Sequence, residues 1–124
     1  MRKNIVAIVV AVAAAGCAGA PATNPADLKL WKTVRLPAAS TGAFSACLLS
    51  GFGKAHPVTH TTVRERRGEG VTRVETWDAS KGLQVSALVF DDGRIEFRES
   101  PDPLVDSSKE RAVFLACFDV QAPR

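Results

Sequence analysis

His56 and His60 are the only histidines of this 124-residue chain, so metal binding or proton transfer by an imidazole could involve only these two side chains. They lie four positions apart, a spacing that on a helix would bring both to one metal ion. Pro57 and the β-branched residues after it favour a strand instead, and four residues of strand extend about 13 Å. That distance is too long for two ligands of one ion, so we predict no metal site here.

Catalysis by a serine nucleophile or by paired carboxylates finds no complete set of residues in the sequence. There is no Gly-x-Ser-x-Gly motif, and Ser107 precedes a helical pattern, as a capping residue does. Asp91 and Asp92 are followed directly by Gly93, which is typical of a tight turn, and the acids of a calcium-binding loop are missing. We therefore expect a protein that is not an enzyme and needs neither a cofactor nor a metal.

The cysteine at position 17 has a chemical meaning because of the residues before it. Arg2 and Lys3 precede an apolar run from Ile5 to Ala15, and small residues stand directly before the cysteine. This pattern resembles the signal peptide of bacterial lipoproteins, in which the cysteine thiol is acylated and the chain is cut just before it. The resemblance implies that residues 1–16 are removed and that Cys17 carries a lipid.

The same resemblance implies a location. In this class of lipoproteins an acidic residue after the cysteine favours retention in the inner membrane, whereas Ala18 stands at that position here. We therefore expect a lipid anchor in the outer membrane, with the chain facing the periplasm or the cell surface. A transmembrane helix is a poor alternative, because the apolar run covers about 16 Å of a hydrocarbon core about 30 Å thick. A plain secretory signal, cut for instance after Ala20, stays open.

The chain without residues 1–16 has 108 residues, enough for one small domain. Its 16 lysines and arginines fall to 14 once Arg2 and Lys3 are removed, against 13 acidic residues, so the net charge is close to +1. Such a balance provides no long-range attraction for nucleic acid, and we expect no nucleic-acid partner.

Cys47 and Cys117 are the two cysteines left after the lipid site. In an oxidising compartment an even pair most simply forms one disulfide, although two buried free thiols would fit the same sequence. Closing a loop of about 70 residues predicts a stabilisation of about 4 kcal/mol.

The processed chain divides into a tether and a domain. Residues 18–27 contain two prolines and no large apolar side chain, so they cannot bury enough surface to fold. We expect a lipidated terminus and tether over residues 17–36, with an edge strand possible at 28–36, and one domain over residues 37–124.

Two segments of this domain show helical periodicity, and each carries one of the cysteines. The apolar side of the first segment consists of Phe44, Cys47, Leu48 and Phe52. Ser107 and Glu110 fit a capping box at the start of the second. Its predicted buried stripe is Val113, Ala116, Cys117 and Val120, flanked by Phe114 and Phe118.

Four strand-like runs lie between the two helical segments, at residues 58–66, 71–77, 83–90 and 94–99. Short turns join them, with Gly93 free to adopt positive φ, and this predicts an antiparallel meander. The simplest architecture is an α+β two-layer sandwich. Both helices would cover one face of a four-stranded sheet and be joined by the pair Cys47 and Cys117.

The other face of that sheet would be open to a partner. Arginine and tryptophan, which often anchor protein interfaces, recur on it. The expected contact residues are Arg64, Arg66, Arg73, Trp77, Arg94 and Arg98. The sequence therefore predicts a non-catalytic binding module, an accessory subunit of an envelope or secretion assembly. One alternative is an inhibitor or immunity protein that blocks a cell-envelope hydrolase with the hairpin at residues 67–70. Another is that the charge run is only a solvated strand end.

Overall fold

The structure, a computed structural model, describes residues 23–57 and 60–123. Cys17 and the predicted signal peptide lie outside these residues. The elements in chain order are β1 (Lys29–Arg35), α1 (Thr41–Ala55), β2 (Thr61–Gly68), β3 (Val71–Asp78), β4 (Gly82–Phe90), β5 (Arg94–Glu99) and α2 (Ser108–Gln121). Short 3-10 helices at Pro25–Asp27 and Ala38–Ser40 precede β1 and α1. The class is α+β, as predicted.

The sheet has five antiparallel strands in the order β1-β5-β4-β3-β2, so the prediction of a four-stranded sheet is wrong. The additional strand is β1, which pairs with β5 so that Val34 lies opposite Ile95. The sequence showed this strand only as a possibility because the register shifts between Leu30 and Lys32, which interrupts the alternation of apolar and polar residues. Strands β2 to β5 form the predicted meander.

An aromatic contact fastens β1 to the rest of the fold. The ring of Trp31 lies 5.2 Å from the ring of Phe97 and 6.4 Å from that of Phe114, in both cases edge to face. The guanidinium of Arg111 lies 4.7 Å from the Trp31 ring and donates from Nε to Glu99 at 2.8 Å. The hydrogen bond to Glu99 raises the pKa of Arg111. β1 is therefore part of the packed domain.

The core lies between the sheet and the two helices. From α1 it receives Phe44, Leu48 and Phe52, which the sequence predicted, and from α2 it receives Phe114 and Cys117. These side chains pack against alternating residues of three strands, namely Val74, Val85, Ala87, Val89, Ile95 and Phe97. Both helices thus contact the same side of the sheet, and no described helix covers its other side.

The buried side of α2 differs from the prediction. Ala116 and Val120 are exposed, Val120 by 69 %, whereas Phe114 is fully buried. The helix is turned so that Phe114 packs on the sheet, with its ring centroid 5.1 Å from that of Phe97. Apolar periodicity alone could not show this orientation, because Glu110 occupies one position on the buried side.

The predicted capping box at the start of α2 is also wrong. The side chain of Ser107 makes no capping hydrogen bond, and the backbone N–H of Ser108 donates to Oδ1 of Asp106 at 2.9 Å. That hydrogen bond lowers the pKa of the Asp106 carboxyl. Glu110, which a capping box would turn back to the amide of Ser107, faces the interior and is 1 % exposed.

Cys47 and Cys117 form a disulfide between α1 and α2, as predicted, and their Cα atoms lie 5.8 Å apart. The two helices approach closely near this bond, since a Cβ atom at Gly51 would lie 2.4 Å from Cγ1 of Val113. The disulfide therefore joins two helices that are also in direct contact.

The turn between β4 and β5 requires glycine at position 93. Gly93 has φ +102°, as expected for a hairpin turn, and its carbonyl accepts a hydrogen bond from the N–H of Leu36 at 2.9 Å. A Cβ atom at this position would lie 2.0 Å from the carbonyl oxygen of Leu36. The end of β1 thus lies directly on this turn.

Candidate binding surface

The side of the sheet that faces away from the helices carries all six residues that the sequence predicted for partner contact. Directly paired residues of neighbouring strands point to the same side, so the register shows which residues share it. One row across the sheet consists of Arg64, Glu75, Ser86, Arg98 and Leu30, and the next of Arg66, Arg73, Leu88, Glu96 and Thr33. Trp77 lies beside the first row and Arg94 beside the second.

We call this side the arginine face, after Arg35, Arg64, Arg66, Arg73, Arg94 and Arg98. Arg35 of β1 was not among the predicted contact residues, and it joins the face because it lies opposite Arg94 of β5. The six guanidinium groups share the face with two carboxylates, those of Glu75 and Glu96. The face is therefore positively charged, whereas the formal net charge of the whole chain is only +3.

Glu75 lies near the middle of this face and is fully buried, although no described helix covers it. Its Oε1 accepts a hydrogen bond from Nε1 of Trp77 at 3.0 Å and lies 3.5 Å from Nη1 of Arg66. The guanidinium of Arg64 lies 5.2 Å from the centroid of the Trp77 ring, within the range of a cation–π interaction. These contacts hold the Trp77 side chain in one position, and an anchor ordered in advance would cost less entropy if it bound a partner.

Strands β5 and β4 carry a similar arrangement around Glu96. Nε of Arg98 donates to Oε1 of Glu96 at 3.0 Å, and Nη1 of Arg94 lies 3.5 Å from Oε2. The guanidinium of Arg94 also lies 4.1 Å from the centroid of the Phe90 ring. Ion pairs at the surface contribute little stability, so the main effect of these contacts is to orient the two arginines.

Both outer strands of the sheet are lined with charge. β1 carries Lys29, Lys32 and Arg35, and β2 carries the run from Arg64 to Arg67. Charged side chains on an edge strand oppose pairing with a further strand. A partner would therefore contact the broad face of the sheet in preference to its edges.

The hairpin at residues 67–70, which an inhibitor would present, has a two-residue turn between β2 and β3. Gly70 has φ +74°, and the side chain of Arg67 is 75 % exposed and lies 3.7 Å from Glu65. The hairpin offers no apolar side chain that could fill a pocket, since its residues are Arg67, Gly68, Glu69 and Gly70. It is the weaker of the two candidate contact surfaces.

A buried polar cluster that was not predicted lies where the two helices meet β3. Oε2 of Glu110 lies 2.8 Å from Nε2 of His56 and accepts a hydrogen bond from Oγ1 of Thr76 at 3.2 Å. Oε1 of the same carboxylate is buried without a partner among the described residues. His56 directly follows α1 as its C-cap, in contrast to the strand expected there, and His60 is exposed. The one sequence feature that pointed to this cluster was Glu110, an acidic residue on the apolar side of a helix.

His56→Ala is expected to lower the free energy of unfolding by about 2 kcal/mol, because the buried carboxylate of Glu110 would lose its closest hydrogen-bond partner. His60→Ala is the matched control, and its effect should stay within about 0.5 kcal/mol because His60 is exposed. Urea unfolding followed by circular dichroism measures both. Equal losses in the two variants would contradict a stabilising role for the pair of His56 and Glu110.

Residues 23–57 and 60–123 contain neither a candidate metal site nor a candidate membrane-spanning helix. Within these ranges His, Cys, Asp and Glu side chains form no group of three that could hold a metal ion. In the same part of the chain, neither α1 nor α2 has the length and apolar character needed to cross a bilayer.

Comparisons of the chain with protein-family models, with curated proteins and with solved structures each found no significant match.

Proposed function

We propose that this chain is a non-catalytic, lipid-anchored protein of the bacterial cell envelope whose arginine face binds another envelope protein. Its role would be that of an accessory subunit of an envelope or secretion assembly. The observation that supports this most directly is that arginines from four strands and Trp77 lie together on a sheet face that no described helix covers. Arginine and tryptophan are the residue types that contribute most often to the binding energy of protein interfaces.

The anchor in this proposal rests on Cys17 and the residues before it, which lie outside the described part of the chain. Leu28, directly before β1, is buried. Residues 18–24 would thus separate the lipid from the 3-10 helix at Pro25–Asp27, and seven residues span at most about 24 Å when fully extended. That length would let the arginine face meet a partner beside the membrane. Cys17→Ser is the matching variant, because it should release the chain from the membrane fraction while leaving the domain folded.

Photo-crosslinking in intact cells tests the contact surface. A photoreactive amino acid at Thr62 or Thr33 would lie on the arginine face, since these residues pair with Trp77 and Glu96. The matched control positions are Ala46 in α1 and Ala116 in α2, which are exposed on the helical side. We expect protein adducts from the first two positions and at least fivefold less from the controls. Trp77→Ala should weaken the adduct at Thr33 about tenfold, as the loss of an interface anchor does.

Two results would contradict this proposal. Equal adducts from both sides of the molecule would mean that contact is not confined to the arginine face, and adducts from the helical side alone would place the interface there. A strong adduct from Glu69 in the hairpin, with none from Thr33, would favour the inhibitor alternative instead.

A further inference from the structure

We infer that the arginine face receives a protein segment with clustered carboxylates and that Arg66 and Arg73 form the principal site for them. This inference rests on the proposed function and adds the chemistry of the partner to it. It is carried by an arrangement of charge that opposes folding of the isolated domain.

The register places arginines directly opposite each other at two points of the arginine face. Arg66 on β2 lies opposite Arg73 on β3, and Arg35 on β1 lies opposite Arg94 on β5. Like charges in directly paired positions of a sheet destabilise it. Where local chemistry disagrees with the fold in this way, the disagreement usually serves a function.

Arg73 is the least compensated of these residues. Arg66 lies 3.5 Å from the carboxylate of Glu75, whereas the side chain of Arg73 has no ion pair or hydrogen bond among the described residues. Its Nε is buried without a partner. Glu75 cannot easily serve both arginines, because it already accepts the indole N–H of Trp77. A guanidinium N–H kept from water without an acceptor is costly, and a carboxylate from outside that accepted from Nε would remove that cost.

The groups between the two arginine pairs favour a protein over an anionic lipid surface. Measured across the sheet from the midpoint of one pair to the midpoint of the other, the distance is three strand spacings, or about 14 Å. Leu88 and Phe90 of β4 lie between them, and Leu88 is 9 % exposed. A continuous layer of anionic headgroups would also meet the carboxylate of Glu96. A polypeptide can place carboxylates opposite the arginines, where the guanidinium fork binds them in bidentate fashion, and apolar atoms opposite β4.

Thermal unfolding of the full-length protein in detergent micelles tests whether Arg73 opposes folding. Arg73→Gln should raise Tm by about 2 °C because it removes a like-charge pair. Arg98→Gln is the matched control and should not raise Tm, since Arg98 is paired with Glu96 at 3.0 Å. Raising NaCl from about 20 mM to about 500 mM should raise Tm more in the wild type than in Arg73→Gln, because salt screens the repulsion. A lower Tm in Arg73→Gln would overturn the inference.

The partner is tested with the crosslinker at Thr33 in cells. Combining Arg66→Gln with Arg73→Gln should weaken the protein adduct at least tenfold, and the crosslinked partner peptide should contain several aspartates or glutamates. Lys54→Gln with Lys109→Gln is the control, because these exposed lysines lie on the helices and the change in net charge is the same.

The possible outcomes separate the two proposals. An adduct that persists in the arginine variant, a partner peptide without acidic residues, or an adduct to lipid or glycan would each overturn this inference and leave the existence of a contact surface intact. No adduct from either position on the arginine face of the wild type would remove the proposed function, and the inference with it.

Discussion

A chain in which serine replaces both Cys47 and Cys117 is expected to lose about 4 kcal/mol of its free energy of unfolding. The disulfide closes a loop across 70 positions, and this loop contains strands β2 to β5. Without the bond the unfolded chain gains a large amount of conformational freedom, which favours unfolding. Domains of this size have a total stability of about 5–15 kcal/mol, so the loss would be a large fraction of the whole.

Urea unfolding in a Cys17→Ser background measures this effect without detergent. In the presence of a reductant, the protein with both cysteines should have the same free energy of unfolding as the double serine variant. Either single serine variant should also match it, because each lacks the bond. A loss below about 1 kcal/mol would mean that the unfolded chain is restricted by other means, contrary to the loop-closure argument.

Phe114→Ala is expected to lower the free energy of unfolding by a similar amount, about 4 kcal/mol. The ring is fully buried and lies 5.1 Å from that of Phe97, 5.5 Å from that of Phe44 and 6.4 Å from that of Trp31. The ring thus joins α2 to α1 and to the neighbouring strands β1 and β5. The cavity could not close easily, because the disulfide at Cys117, about one turn further along α2, holds the helix in place.

Leu115→Ala is the matched control for this variant. It removes a large apolar side chain from the next position of the same helix, but Leu115 is 43 % exposed, so the loss should stay below about 1 kcal/mol. Similar losses for Phe114→Ala and Leu115→Ala would show that α2 is rotated relative to the orientation described above.

Local sequence patterns predicted much of the fold because the relevant contacts are near in sequence. Short turns such as the one at Gly93 imply antiparallel neighbours, and the stripe of α1 follows directly from helical spacing. β1 and the orientation of α2 depend on distant residues. β1 is recognisable only beside β5, and α2 is oriented by the ring of Phe114 and by the disulfide, so Val120 satisfies the helical period and is nevertheless exposed.

The candidate surface likewise combines features that local sequence patterns predict with features that depend on contacts between side chains. Alternation along β5 was enough to place Arg94 and Arg98 opposite to Ile95, and this put the predicted arginines on one side. The contacts that hold the surface in order were not predictable. The hydrogen bond of Trp77 to Glu75 depends on the choice of rotamer, and the partners Glu110 and His56 are 54 positions apart in the chain.

If Cys17 anchors the chain as proposed, the charged borders of the sheet matter most where many copies share one leaflet. Molecules confined to a plane collide far more often than the same number in free solution. A bare strand at the border would let one sheet continue into the next and start a fibre. Lysines and arginines along β1 and β2 would make such collisions repulsive, so that crowded copies would separate again.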